Sequence, residues 1–208
     1  MLIIAALIVA IGGAGAGAVL YSNEKKRRGL SSGGGTRALA AGDTLIERTI
    51  RELRVGDVLS IDGKDYLCEG VVAYDEDGHR WVGGRLVDGT TVRWCVVGLE
   101  RTSAQHVRLL EVDPTDVAGY PPEALVLGDV RFALDKRGTA TCKLHGDLGS
   151  LMGGSKAGRP EGHVERCRWW LYSAPGDDTA LLEQWGADYR VLRGKKVLGD
   201  TIDLIPGS

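Results

Sequence analysis

Three Asp-Gly pairs constrain the fold of this chain more than any other feature of its sequence. The pairs begin at Asp62, Asp77 and Asp88, and each lies between short runs rich in β-branched and aromatic residues. Asp-Gly in this setting is typical of a tight β-hairpin, because both residues accept the positive φ angles of the turn. The pattern predicts a succession of antiparallel strands, and helical periodicity is confined to a short stretch at 45–53.

The two halves of the chain resemble one another. Segment 53–68 aligns with 125–142, and the Arg-Trp pairs at Arg80 and Arg168 each open a further matching stretch. An internal repeat implies two similar supersecondary units. We therefore predict an all-β, mainly antiparallel fold of two tandem small β-barrel or sandwich-like modules, preceded by a single transmembrane helix. The two modules either form separate barrels or share one sheet.

An uncharged apolar run opens the chain. From Leu2 to Tyr21 no side chain is charged at neutral pH. Twenty helical residues span about 30 Å, the thickness of the hydrocarbon core of a bilayer. Four cations follow, namely Lys25, Lys26, Arg27 and Arg28. Because flanking cations stay in the cytoplasm, we predict a single-pass protein of the cell membrane with its N-terminus outside and its body in the cytoplasm. A cleaved signal peptide is the alternative.

These features divide the chain into five predicted segments. They are a transmembrane helix at 1–22, a basic stop-transfer segment and Gly/Ser linker at 23–43, a first β module at 44–112, a linker at 113–124 and a second β module at 125–208. The second linker is predicted from its prolines and small polar residues.

Several strand and turn motifs together resemble a known family. They are Leu-x-x-Gly-Asp at 53–57, an aromatic strand at Tyr66, "EGVVAYDEDGHRW" and "LLEQWGADYRVLRGKKV". Over roughly 49–206 the chain resembles the bacterial family catalogued as domain of unknown function 4178. The resemblance supplies no catalytic residues. Members are encoded beside phage-shock-type coat proteins, flotillin-like scaffolds and polyamine aminopropyltransferases, which implies a role in envelope maintenance or stress.

The charge of the chain argues against one class of partner. The net charge is −2 and residues 24–28 contribute +3, so everything from Gly29 onward sums to −5. An acidic body argues against nucleic acid, because neutralising phosphates requires a basic face. It suits a small cationic ligand, such as a polyamine held between the two β units.

Two cysteines and two histidines form a candidate metal site. Cys142-x-x-His145 and His163-x-x-x-Cys167 together supply a valid tetrahedral zinc set. Against this, Val71 stands where the first half of the repeat would need a histidine. Core thiols and surface imidazoles are therefore the alternative, and no other cofactor is expected. The four cysteines form no CxxC pair, which indicates reduced, partly buried thiols in a cytoplasmic body.

Tryptophans are the candidate interaction residues. Trp169 and Trp170 are adjacent, so on a strand they face opposite sides. We expect one of them in a core and the other available to a partner or a membrane surface, with Trp185 as a further candidate. Glu100 and Glu183 end equivalent segments of the repeat, which indicates either structural ion pairs or a shared groove.

The sequence contains no P-loop or H-E-x-x-H motif. We therefore expect a membrane-tethered cytoplasmic adaptor or scaffold for an envelope-associated stress system, without catalysis of its own. Its predicted partners are membrane lipid, through the N-terminal helix, and proteins at the membrane. A ligand-sensing module, with a polyamine as candidate ligand, and a zinc protein are the alternative functions.

Overall fold

The computed structural model describes residues 48–102, 106–149 and 161–207. Eleven strands dominate this part of the chain. They are β1 (Val58–Ile61), β2 (Lys64–Glu76), β3 (His79–Asp88), β4 (Thr91–Val97), β5 (His106–Asp113), β6 (Ala124–Leu127), β7 (Val130–Gly146), β8 (His163–Ser173), β9 (Asp178–Trp185), β10 (Asp188–Leu198) and β11 (Ile202–Ile205). Two short 3-10 helices, Ile50–Glu52 and Gly199–Thr201, complete the described elements.

The predicted hairpins are confirmed. β1 and β2 meet across Asp62, β2 and β3 across Asp77, and β3 and β4 directly after Asp88. Asp62 and Asp77 have φ angles of 52° and 51°, and the glycine after each also has a positive φ. These angles are those of the tight turn whose twist matches the twist of the flanking strands.

Eight of the strands close into a ring. Neighbouring strands follow the order β2-β3-β4-β5-β10-β9-β8-β7, and β7 pairs again with β2. Every pairing in the ring is antiparallel. The halves of the chain join at two seams, β5 with β10 and β2 with β7. Each half therefore contributes four neighbouring strands to one closed sheet.

The fold class predicted from the sequence is wrong in its transmembrane helix, although its mainly antiparallel β part is confirmed. No helix in 48–102, 106–149 or 161–207 is long and apolar enough to cross a membrane, and the predicted span at 1–22 lies outside the described residues. The two halves share one ring, so of the two arrangements left open by the sequence, separate barrels or one shared sheet, the structure has the shared sheet. Strand periodicity predicts each hairpin, but it does not specify which strands pair across the halves.

Three hydrophobic clusters fill and cover the ring. The interior cluster is rich in aromatic residues and contains Tyr74, Trp81, Trp94, Trp169 and Trp185. A second cluster lies on the outer face of β2 to β5, where β1 and β11 cover it. A third lies on the outer face of β8 to β10, under β6 and segment 114–123. The sheet therefore buries both of its faces over much of its area.

The Leu-x-x-Gly-Asp motif ties both ends of the described fold together. Asp57 is buried, and its carboxylate accepts hydrogen bonds from the backbone N–H groups of Arg54 (2.7 Å) and Gly207 (2.9 Å). Arg48 forms an ion pair with the same carboxylate. Asp57 thus fixes the segment that leads into β1 against the end of β11.

The residue-by-residue alignment of the two halves is wrong at this motif. Asp129, which it places opposite Asp57, is exposed in the turn between β6 and β7. Cys68 lies in the outer cluster of the first half, whereas Cys142 lies in the ring interior. The Arg-Trp match does hold, because Trp81 and Trp169 both enter the interior, with ring centroids 5.7 Å apart.

Candidate functional site

A groove of about 610 Å³ opens on the outer face of the sheet, beside the 3-10 helix Ile50–Glu52. We call it the outer groove. Its apolar floor comprises Leu53, Val55, Val71, Ala73 and Val82. Val55 is 45% exposed and Ala73 is half-buried, so apolar surface remains open to solvent. Its size falls within the usual range of small-molecule sites.

The strands and the segment before β1 together position the floor. Leu53 lies over β3 at Gly84, where a Cβ would come within 2.4 Å of the Leu53 Cδ2 atom. Ala73 of β2 pairs with Val82 of β3, so both side chains project from the same face of the sheet. The close approach at Gly84 therefore sets the distance between the 3-10 helix and the sheet.

Arginine side chains surround this apolar floor. Arg80 pairs with Asp75 across 2.8 Å, and both side chains are solvent-accessible. Arg51 and Arg54 are exposed, and no carboxylate of the described residues forms an ion pair with either. Two guanidinium groups beside open apolar surface match a ligand that has an apolar body and an anionic group.

A histidine–glutamate pair closes one end of the outer groove. Nδ1 of His145 lies 2.5 Å from Oε1 of Glu161, and Oε2 of Glu161 accepts a hydrogen bond from the backbone N–H of Gly146. The Gly146 hydrogen bond and then the His145 contact lower the pKa of Glu161. This carboxylate orients the imidazole, as in many catalytic pairs.

The described lining of the outer groove provides no nucleophile for that imidazole to activate. It contains no serine, threonine or cysteine. Its one hydroxyl group belongs to Tyr74, which donates a hydrogen bond to Glu183 in the ring interior. Burial and then the Glu183 charge raise the pKa of Tyr74 well above its ordinary value. The outer groove is therefore better suited to binding than to covalent catalysis.

A polar network occupies the ring interior. Glu183 accepts hydrogen bonds from Tyr74 (2.7 Å), from Nε1 of Trp185 (3.1 Å) and from Nε of Arg190 (3.1 Å). The Arg190 guanidinium stacks on the Trp94 ring at 4.0 Å. All five side chains are buried. The ion pair predicted for Glu183 is thus a fully buried one.

Glu100 forms a second ion pair, also with a buried arginine. Nη2 of Arg108, a residue 2% exposed, lies 3.2 Å from Oε2 of Glu100. This favours the ion-pair interpretation of both glutamates over a shared groove, because neither Glu100 nor Glu183 lines the outer groove.

The structure does not bring the four predicted zinc ligands together. Cys142 and Cys167 are fully buried in the interior cluster. His145 and His163 are partly exposed and lie beside Glu161 and Glu165, respectively. No group of three or more candidate ligands forms a metal site among the described residues. The spacing alone suggested zinc, but on a strand Cys142 and His145, three residues apart, point to opposite faces.

All four cysteines are free and buried. Burial raises the pKa of Cys68 to about 12 and the pKa of Cys167 well above its usual value. A thiol with a raised pKa is a poor nucleophile and a poor metal ligand, because both roles require the thiolate. The described cysteines are therefore packing residues.

The three candidate interaction tryptophans are all buried. Trp169 and Trp185 belong to the interior cluster. Trp170 does face the opposite side from Trp169, but it is only 3% exposed, and Tyr120 covers it with a ring-centroid distance of 5.9 Å. Segment 114–123, which lies within the linker predicted at 113–124, supplies this cover. None of the three therefore offers an exposed surface to a partner.

One further set of predicted residues is the group of membrane-flanking cations, and two residues of the outer groove were not predicted from the sequence. The membrane-flanking cations Lys25, Lys26, Arg27 and Arg28 lie outside the described residues. The outer-groove residues Arg51 and Arg54 were not among the candidates from the sequence. Their position on either side of Leu53, the first residue of the Leu-x-x-Gly-Asp motif, was the one signal that pointed to them.

Comparisons with known proteins identify a family and three relatives. A family model described as "Domain of unknown function (DUF4178)" matches residues 54–199. The chain belongs to this family. DUF4178 therefore covers the whole ring, Asp57 itself and most of the outer groove. The resemblance drawn from strand and turn motifs is confirmed, whereas the membrane anchor added to it has no support.

Three mycobacterial proteins are similar to this DUF4178 chain. They are uncharacterized protein Mb2628 of Mycobacterium bovis and uncharacterized proteins MT2673 and Rv2597 of Mycobacterium tuberculosis, each 26% identical over 178 residues. The alignments cover 83% of this chain and 81% of each relative. No solved structure matches the chain significantly.

Proposed function

We propose that this DUF4178 chain is a non-catalytic ligand-binding domain, and that the outer groove binds a small amphiphilic anion. The observation that supports the proposal is the pairing of open apolar floor at Val55 and Ala73 with exposed guanidinium groups at Arg51 and Arg54. Burying an alkyl chain contributes about 0.8 kcal/mol per CH₂. A guanidinium adds charge-assisted hydrogen bonds to a carboxylate or phosphate.

The charges at this groove favour an anion over a polyamine. Arg51, Arg54 and Arg80 outnumber the two acidic lining residues, Glu52 and Glu161. Glu52 already accepts a hydrogen bond from the backbone N–H of Thr49, and Glu161 is engaged by His145. A cationic ligand would meet exposed guanidinium groups on a lining with more cationic than acidic residues. The predicted adaptor role with protein partners at a membrane stays a prediction.

A series of probes with one alkyl chain and different headgroups tests the proposal. Octyl phosphate, octyltrimethylammonium and spermidine are titrated below any micelle concentration, and binding is followed by isothermal titration calorimetry. We expect saturable binding of octyl phosphate and none of spermidine. Equal binding of octyl phosphate and octyltrimethylammonium would contradict the role assigned to the arginines.

A double variant locates the site. In Arg51→Gln/Arg54→Gln the affinity for octyl phosphate should fall about tenfold, because two charge-assisted contacts are lost. Arg131→Gln, an exposed change on β7 outside the groove lining, serves as the matched control and should leave affinity unchanged. An identical loss in the control would show a non-specific charge effect instead of a site.

A further inference from the structure

Exposed side chains continue from the outer groove across the outer surface of β7 and β8. Ala73 of the groove floor pairs with Lys143 of β7, and Lys143 pairs with Val164 of β8. Paired residues of antiparallel strands project from the same face of a sheet, so these three side chains form one row. At about 4.8 Å between neighbouring strands, the row extends the surface of the groove by about 10 Å beyond its floor.

Arg166 and Arg168 of β8 add two cations beside this row. They flank Cys167, which lies in the ring interior, so both arginine side chains project from the outer face of the strand. There they line a depression of about 430 Å³ together with Thr139, Gln184 and Gly186. The described lining of this depression contains no acidic residue.

The cations of this surface are not neutralised by ion pairs. Lys143, Arg166 and Arg168 are exposed, and no carboxylate of residues 48–102, 106–149 or 161–207 forms an ion pair with any of them. The same holds for Arg51 and Arg54 at the outer groove. We call these five residues the basic face.

The basic face belongs to an otherwise acidic chain. Residues 29–208 have a net charge of −5, although they include all five cations of the basic face. Two acids border the face, and both are engaged, Asp75 by Arg80 and Glu161 by His145. The positive charge is therefore concentrated on one surface, and the partner that complements it has a negatively charged surface.

Exposed apolar side chains accompany these cations. Val55 is 45% exposed and Val164 is 57% exposed. A bilayer with anionic phospholipid matches both features, because it offers phosphates to the cations and acyl chains to the open apolar surface. A nucleic acid would match the cations alone, which favours the bilayer.

We propose that this domain docks on a bilayer that contains anionic phospholipid, and that one such lipid is the amphiphilic anion of the outer groove. Its phosphate contacts Arg51 and Arg54, and the upper part of one acyl chain lies on the floor at Val55 and Ala73. The other three cations of the basic face contact neighbouring headgroups. This inference rests on the function proposed for the outer groove and adds the source of its ligand.

Co-sedimentation of the full-length protein with vesicles tests this docking surface. We expect stronger binding to phosphatidylcholine vesicles that contain phosphatidylglycerol than to phosphatidylcholine alone, and a loss of that difference at high salt. Lys143→Gln/Arg166→Gln/Arg168→Gln should weaken binding to the mixed vesicles at least about tenfold, because cations close to an anionic surface contribute most to binding.

A second triple variant controls for the change in net charge. Lys64→Gln/Arg131→Gln/Lys195→Gln removes the same charge from exposed positions outside the basic face. It should change the affinity for the mixed vesicles by less than about twofold. Equal losses in the two triple variants, or an unchanged affinity in the first, would overturn the proposed surface.

A fluorescent label at one position makes the test independent of residues 1–47, which all variants share. The four native cysteines are buried, so a bimane dye should react selectively with Val164→Cys. Its emission should shift to the blue on the mixed vesicles. Val126→Cys, at a valine of β6 that is 61% exposed, is the matched control and should not shift. Equal shifts at both positions, or none at Val164→Cys, would overturn the proposal.

Octyl phosphate separates this inference from the function proposed for the outer groove. Lys143→Gln/Arg166→Gln/Arg168→Gln leaves the groove lining intact and should bind octyl phosphate as the unmodified protein does. Octyl phosphate binding without vesicle docking would overturn the docking alone, whereas loss of octyl phosphate binding in the unmodified protein would overturn both proposals. Binding of a short RNA instead of vesicles would assign the basic face to nucleic acid and overturn the docking.

Discussion

Replacing Glu183 with glutamine should destabilise the ring more than any exposed substitution. Glu183 is 1% exposed and accepts hydrogen bonds from Tyr74, Trp185 and Arg190. The variant keeps the shape of the side chain but removes the charge that compensates Arg190. The guanidinium cannot reach water, because it is buried against Trp94.

The expected magnitude follows from that uncompensated charge. Removing one member of a buried ion pair typically costs about 3–5 kcal/mol of unfolding free energy. Domains of this size have a total stability of about 5–15 kcal/mol, so the loss is a large fraction of the whole. At about 2–4 °C per kcal/mol, the melting temperature should fall by roughly 6–20 °C.

Urea unfolding followed by tryptophan fluorescence measures this loss. Glu123→Gln is the matched control, because Glu123 pairs with Arg137 at 3.2 Å where both side chains are more than half exposed. It should cost less than about 1 kcal/mol. Glu183→Gln/Arg190→Gln should regain part of the lost stability, because no buried charge remains. A cost below about 1 kcal/mol for Glu183→Gln would refute the buried network.

Three other outcomes follow from the structure. Gly194→Ala should destabilise the β5–β10 seam by about 1–3 kcal/mol in thermal unfolding. The reason is that the alanine Cβ would lie 2.0 Å from the backbone oxygen of Leu109. An unchanged melting temperature would contradict this close approach. Burial opposes ionisation of Asp57, but hydrogen bonds from Gly207, Arg54 and Arg48 outweigh it and lower its pKa. The stabilising effect of the Asp57 carboxylate is therefore present above the unfolded-state pKa of about 3.9 and is lost as the pH falls through the lower folded-state pKa. Asp57→Asn should be less stable than the unmodified protein at pH 7, and its unfolding free energy should fall less on acidification. Parallel pH profiles of unfolding free energy for the two proteins would argue against this role. Burial raises the pKa of Cys68 to about 12. This thiol should therefore react with Ellman's reagent at pH 8 only after urea is added. Rapid labelling of Cys68 in the native protein would contradict its burial.

Local chemistry made the hairpins predictable from the sequence. The Asp-Gly pairs at Asp62 and Asp77 specify a turn within four residues, and the structure has those turns. The seams are different, because β2 pairs with β7 and β5 with β10 across long stretches of chain. Strand periodicity gives no information about which distant edges pair, and so the sequence left open whether the two halves form separate barrels or share one sheet.

The candidate sites show the same division between local and distant contacts. Trp169 and Trp170 were predicted to face opposite sides, but only the tertiary fold places Tyr120 over Trp170. Glu161 approaches His145 because β7 and β8 are paired, although sixteen positions separate the two residues. The outer groove depends on where Leu53 meets β3, which propensities of single residues do not determine.

Methyl and amide NMR spectra with octyl phosphate test the central functional proposal most directly. We expect chemical-shift changes confined to the floor and rim of the outer groove, at Val55, Val71 and Ala73 and at the amides of Arg51 and Arg54, with saturation at one equivalent. Shift changes spread over unrelated exposed residues such as Val126 and Val164, or none at the floor, would contradict a binding site there.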